Sequence, residues 1–379
     1  MPYLPDSLEH RAPTGRGLSS DQDCRHLPPT RGKGSLPCGF KLATFCLTSL
    51  VASLVTSSSP SFSAVTQPSL ALHRFEYARL RMGTTVRVVL YAPDEAHARS
   101  AADAAYRRID AIEAKLSHYR PDSEVSSLSK ASGKGPRRVS PELLEVLAAA
   151  MRFSELSDGT FDVSVGPLVR LWKESVKTRR LPDPHALAAA RRLVGYRRIR
   201  VDPTNQAVEL DTPGMLLDLS AIGKGYAADE ALKTLLAAGI TCALVDAGGD
   251  MRFSAPPPGR RGWKIAIQNP SGDSAAERTI ELSEAAVATS GDAYQFIEIG
   301  GKRYSHILDP RAGMGGEGAA SATVIAPDGM TADALATALC VMSPEAGIRL
   351  AESLPGVSAL VISRQGNAFK RYTSRGFPP

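Results

Sequence analysis

Asp218-Leu219-Ser220-Ala221-Ile222-Gly223-Lys224-Gly225-Tyr226-Ala227-Ala228-Asp229 is the stretch around which the chain is organised. Met215, Leu216 and Leu217 lead into it as an apolar strand. A helix leaves it over residues 227–238, with Leu232, Leu235 and Leu236 on one side. Gly223 and Gly225 flank Lys224 where strand becomes helix. Unpaired backbone N–H groups and the helix dipole attract anions at such a junction. Glycine lets a phosphate approach the backbone, and Lys224 adds a point charge. The alternative is a tight strand-to-helix turn with a solvated lysine. A Walker A loop is excluded, because that motif needs glycine where Asp218 stands and Ser or Thr where Gly225 stands.

Downstream, Gly239 stops the helix. A strand over 241–245 runs into Asp246-Ala247-Gly248-Gly249-Asp250, whose paired glycines suggest close approach of backbone or ligand. Strands follow over 263–268 and 279–282. Residues 296–299 and 302–307 make a hairpin around Gly300-Gly301. His306 ends that hairpin, just before Asp309-Pro310-Arg311, and reads either as structural or as a general base. A strand over 323–326 precedes a helix over 332–341 carrying Asp333 and Thr337. Four residues apart, their oxygens share one face. They suit a hard cation such as Mg2+, or are a helix N-terminal charge beside a neutral threonine. Residues 357–363 and 368–372 close the chain as another hairpin.

Upstream, residues 85–91 alternate as a strand and 94–116 form a long helix with apolar residues at helical spacing. Tyr119, in the turn that follows, either stacks on a planar ligand or packs locally. Ser140-Pro141-Glu142 opens a helix running to about Ser157. Asp162 lies in an apolar stretch, where a carboxylate needs partners. It is either a ligand contact or a cap for residues 166–168. A helix over 182–194 and a hairpin of 199–202 with 207–210 lead back to the central stretch.

The 379 residues carry a formal net charge of +6 and are 43% apolar, enough for a sizeable core. Basic residues crowd 170–200, but no aromatics interleave for base stacking, so a solvated helical face is preferred over nucleic-acid binding. Residues 1–64 read as a Pro/Gly/Ser-rich stretch followed by a secretory signal: Arg31, Lys33 and Lys41 flank an apolar run over 40–55, and small residues run to Ala64. Maturation is expected near Ala64 or Val65. Cys24, Cys38 and Cys46 fall in this leader. Cys242 and Cys340 read as buried core residues, not as a disulfide or a thiolate metal site.

Seven stretches, in order, give the chain a family resemblance: Met82-Gly83-Thr84; Leu116-Ser117-His118-Tyr119 with Asp122-Ser123-Glu124; Phe161-Asp162-Val163-Ser164-Val165-Gly166-Pro167-Leu168; the central stretch from Asp218 to Ala227; Gly248-Gly249-Asp250; Ser305-His306-Ile307-Leu308-Asp309-Pro310-Arg311; and Ala332-Asp333-Ala334-Leu335-Ala336-Thr337-Ala338. Together they resemble the FAD:protein FMN transferase (ApbE) family from about Leu80 to the C-terminus. The resemblance implies an α+β domain over 72–379, with mixed and antiparallel sheets flanked by helices. It implies transfer of FMN from FAD to a Ser or Thr hydroxyl of an acceptor flavoprotein, with Mg2+ assisting and AMP released. By resemblance, Met82, Tyr119, Thr160, Phe161, Asp162, Asp218, Lys224 and Ile307 contact FAD. Ala221, through its carbonyl oxygen, Asp333 and Thr337 hold the metal, and His306 is the base. Ala312 stands where the family usually has Thr, and Ala336 where some members carry a second acid. Family members serve respiratory-complex subunits and other extracytoplasmic flavoproteins, so an exported, periplasmic enzyme is expected, with attachment to the inner membrane open. Two further readings use the same site: FAD hydrolysis to FMN and AMP, or FAD binding without turnover. Retention of Asp333, Thr337 and His306 argues against the last.

Overall fold

Val86, Val88 and Leu90 turn to one side of their strand and Val89 to the other, and both sides are buried. A strand buried on both faces needs a layer on each side. The computed structural model, which describes residues 71–379 except 271–275, 293–294, 317–318 and 367, supplies both layers. The strand Thr84–Ala92 is second in an eight-stranded sheet. The order is His73–Arg81, Thr84–Ala92, Ala243–Ala247, Met251–Phe253, Ala286–Gly291, Ala319–Ala326, Ser358–Gln365, Ala368–Thr373. Every ladder within it is antiparallel.

The helices described are α1 (Glu95–Leu116), α2 (Glu124–Lys130), α3 (Pro141–Leu156), α4 (Gly166–Thr178), α5 (Pro184–Arg191), α6 (Gly223–Ala237), α7 (Gly329–Val341) and α8 (Pro344–Ser353). On one face of the sheet, α1 and α6 set Ala98, Ala105, Ile109, Leu232 and Leu235 against Val86, Val88 and Leu90. On the same face, Leu335 and Leu339 of α7 share a core with Ala286, Ala288, Ala322 and Val324. The other face is covered by the hairpin of Trp263–Gln268 and Ala276–Leu282. Its inward residues Trp263, Ile265, Ile267 and Ile280 meet Val89, Leu244, Val287, Ile325 and Ile362. This is the α+β class expected from the sequence. Cys340 is buried in the core under α7 and Cys242 beneath the hairpin. Both are free thiols whose pKa burial raises.

Residues 215–217 do not form the expected strand. Among the described residues they contribute one isolated parallel bridge, Leu216 to Val165. Their backbone is satisfied otherwise: the Leu217 N–H donates to Ser129 Oγ at 3.1 Å, and the Asp218 N–H to the Val163 carbonyl at 2.8 Å. The helix expected from residue 227 starts four residues earlier, at Gly223. Its N-cap, Ile222, has no side-chain cap bond; instead Asp333 on α7 accepts the Gly225 N–H at 3.0 Å. A cap supplied from another helix leaves no local signal. The helix expected over 182–194 is shorter, because Pro184 sits in its first turn behind Asp183 and the end loosens into tight turns at Leu193 and Val194.

The glycine hairpin forms as expected, with Gly300 and Gly301 both at positive φ, 60° and 76°. No helix among the described residues is long and apolar enough to cross a membrane. The leader expected over 1–64 lies outside the described residues.

Candidate active site

Two helix N-termini meet at this site. Gly225, in the first turn of α6, lies against Gly329, which opens α7. A Cβ on Gly225 would overlap the Gly329 carbonyl and stand 2.8 Å from Asp333 Cβ. Asp229, one turn on in α6, accepts the N–H groups of Gly329 and Met330 at 2.8 and 3.0 Å and pairs with Arg252 at 3.1 Å. Asp328 caps α7 locally through the Thr331 N–H. The glycines allow the approach, and Asp229 fixes it. Gly225→Ala is therefore expected to destabilise the fold by about 1–3 kcal/mol, since a backbone oxygen cannot yield as a side chain does. Thermal denaturation checks this; an unchanged midpoint would mean the helices can separate freely.

That contact brings Lys224 to two buried carboxylates. Its ammonium contacts Asp250 and lies 3.7 Å from Asp333 Oδ1. Asp250 and Asp333 are 5% and 2% exposed. Burial and the Asp333 charge both push the Asp250 carboxyl up, against the pull of Lys224. Burial alone would lower the Lys224 pKa, but the two carboxylates reverse this and hold it protonated. Buried charges need such compensation.

Asp333, Lys224, Thr337 and Ala221 line one cleft of about 1420 Å³. The Thr337 hydroxyl bonds Ser290 Oγ at 3.2 Å. No cluster of three or more His, Cys, Asp or Glu side chains that could hold a metal occurs among the described residues. A cation here would rest on the Asp333 carboxylate, the Thr337 hydroxyl, the Ala221 carbonyl and water. These are hard oxygen donors, which fit Mg2+ in type.

His306 projects into the same cleft from the end of the strand Lys302–Ser305. Its Nδ1 lies 2.9 Å from the Gln295 carbonyl oxygen. A carbonyl only accepts, so Nδ1 carries the proton and Nε2 keeps its lone pair. His306 is accessible to solvent, yet the cleft walls crowd its ring, and that desolvation lowers its pKa from the ordinary imidazole value.

The remaining wall is built by loops. Tyr119 is 68% exposed, stacked on His118 with centroids 3.9 Å apart and with the Lys173 ammonium 4.1 Å above its ring. Asp218 accepts the Ser220 N–H at 2.9 Å and its hydroxyl at 2.6 Å, and stands 3.2 Å from His118 Nδ1. Asp162 does not cap α4, whose N-cap is Val165 with no side-chain bond. It accepts from the Ser164 N–H and hydroxyl and from the Tyr196 N–H, all within 2.8 Å, while burial raises its pKa. Thr160 and Phe161 precede it on the wall, and Ile307 follows His306.

The structure thus brings Tyr119, Thr160, Phe161, Asp162, Asp218, Ala221, Lys224, His306, Ile307, Asp333 and Thr337 to one cleft. Met82 is not in its lining. It sits at positive φ, donates its N–H to Glu113 at 2.9 Å and packs against two cores. Thr84 and Thr85 line the cleft at that end. Sequence reasoning passed over Asp250 as a site residue, although its Gly248-Gly249-Asp250 setting was visible. It also passed over His118, whose contact with Asp218 no local pattern shows.

The ApbE family model matches residues 82–361. The FAD:protein FMN transferase of Vibrio cholerae is 34% identical over 303 residues, covering 79% of this chain and 90% of that protein. The FAD:protein FMN transferase of Haemophilus influenzae is 32% identical, covering 78% and 88%. Among solved structures, the flavin transferase ApbE from Vibrio cholerae superposes with a TM-score of 0.74 at 33% identity, over 81% of this chain and 99% of that one. An ApbE protein from Thermotoga maritima gives 0.72 at 33%, over 80% and 97%. With the family model matching well over half of its length, the chain belongs to the ApbE family.

Proposed function

We propose that this chain is an FAD:protein FMN transferase that moves FMN from FAD to a Ser or Thr hydroxyl of an acceptor flavoprotein, with Mg2+ as its metal. The observation that carries the reading is the meeting, in one cleft, of a histidine with a free Nε2, a half-buried lysine held by two buried carboxylates and the oxygen donors of Asp333 and Thr337. In the reaction, the acceptor oxygen forms a bond to the FMN phosphorus, the P–O bond to the AMP phosphate breaks, and AMP leaves. Nε2 of His306 takes the hydroxyl proton, while its Nδ1–H stays on the Gln295 carbonyl. Lys224 supplies positive charge beside the pyrophosphate, at the N-terminus of α6 where the helix dipole adds to it. Tyr119 offers an exposed ring at the cleft mouth for the isoalloxazine. Bound Mg2+ would neutralise charge on the pyrophosphate oxygens.

Incubation with FAD and Mg2+, with and without acceptor protein, tests this. Covalent fluorescence on the acceptor that survives denaturation, with AMP in solution, is expected. Free FMN whether or not acceptor is present would make the enzyme a hydrolase, and intact bound FAD a binding protein.

We also propose that the chain is exported, on the basic flank, apolar run and small residues before Val65. N-terminal sequencing of the extracytoplasmic protein should start near Ala64 or Val65. Recovery only from the cytoplasm, with residues 40–60 intact, would overturn this.

A further inference from the structure

We propose that the acceptor polypeptide binds as an added β-strand along the open edge of the strand Trp263–Gln268, inside the catalytic cleft. The proposal rests on the transferase reading and specifies how its second substrate is held. The strand pairs on one side with Ala276–Leu282, and among the described residues it has no partner on the other. Every residue from Gly262 to Pro270 lines the cleft. A strand presenting a face contributes alternate residues, as Arg74 and Glu76 do from the neighbouring sheet. A strand contributing all of them presents its edge, with a row of backbone N–H and C=O groups.

Such an edge is an aggregation hazard on an open surface. Recessed in a cleft it is closed to another sheet but open to one extended chain. The cleft, at about 1420 Å³, also exceeds the roughly 300–1,000 Å³ of an ordinary small-molecule site, leaving room beside one dinucleotide. Beside this edge the cleft is also lined from the strand Thr84–Ala92 by Arg87, which pairs with Asp246 at 2.9 Å, and by Tyr91, whose ring meets Trp263 edge to face. His306 lines the same cleft, so a segment lying on this edge is continuous with the site that must take its hydroxyl proton. Edge pairing recognises backbone and leaves alternate side chains to choose the partner. It would hold one Ser or Thr in extended geometry for attack.

The test uses the full enzyme with FAD, Mg2+ and a synthetic peptide spanning the modified residue of an acceptor found by co-expression. Single N-methylation is moved along the peptide backbone. Transfer should fall by about tenfold or more at every second position and little at the positions between, because only alternate amides face the added-strand partner. Amides within residues 263–268 should gain hydrogen-exchange protection on adding peptide to the FAD-loaded enzyme, and not on adding FAD alone. Covalent flavin formed with no two-residue period and no protection there would overturn strand addition and leave the transferase reading standing. No covalent flavin on the peptide or on its parent protein would overturn both.

Discussion

Replacing His306 by asparagine is expected to slow FMN transfer by about 10²–10⁴-fold while FAD still binds. The asparagine amide can keep the donor bond to the Gln295 carbonyl that Nδ1 now makes at 2.9 Å, but it has no lone pair of imidazole basicity. The loss should therefore fall on the rate at saturating FAD. The pH profile carries a second expectation. A base works when unprotonated, and crowding by the cleft lowers the His306 pKa. The acid limb of the rate should thus lie below the ordinary imidazole value of about 6.5 and disappear in the variant. Collapse of FAD affinity with an unchanged saturated rate would make His306 a binding residue.

The other large effect is expected at Asp333. Asp333→Ala should remove Mg2+-dependent turnover, by on the order of 10³-fold or more, since the charge neutralisation a cation supplies is worth several kcal/mol. The carboxylate does two further jobs: it accepts the Gly225 N–H at 3.0 Å and lies 3.7 Å from the Lys224 ammonium. Alanine leaves that buried N–H unpaired, at about 1–3 kcal/mol. Asp333→Asn keeps an acceptor for Gly225 and removes only the charge. Both variants should lose turnover, and only alanine should lower the melting temperature substantially. Turnover and Mg2+ titration beside thermal melts separate these effects. Near wild-type activity at limiting Mg2+ in either variant would refute a metal role for Asp333.

The sequence made the site's parts more legible than their arrangement. Asp333 and Thr337 are four apart on a helix, and Gly300-Gly301 selects its turn, so both could be read locally. Lys224 was visible as a cation between glycines. Its partners were not, because Asp250 and Asp333 reach it only through tertiary packing. The same holds for the start of α6, where the capping carboxylate lies 108 residues away. Residues 215–217 read as a strand because they are apolar, but Met215 and Leu217 are buried in a core shared with α2, α3 and α7, and Ser129 takes the Leu217 backbone bond a ladder would have used. Met82 matched by position in a motif, whereas in the fold its side chain packs inward.

The glycine contact between α6 and α7 has a consequence for the order of folding. The bonds that complete the cluster, Gly225 to Asp333 and Asp229 to Gly329, span 108 and 100 residues. Closing loops of that length is entropically costly and comes late unless other contacts have already gathered the chain. Lys224 and Asp250 can approach early, being only 26 residues apart. The second carboxylate arrives only when α7 docks. A nascent chain that ends before residue 329 therefore has no assembled site, however much of the sheet it has formed. Catalytic competence in this protein therefore reports that α7, Gly329–Val341, has been made and has docked on α6.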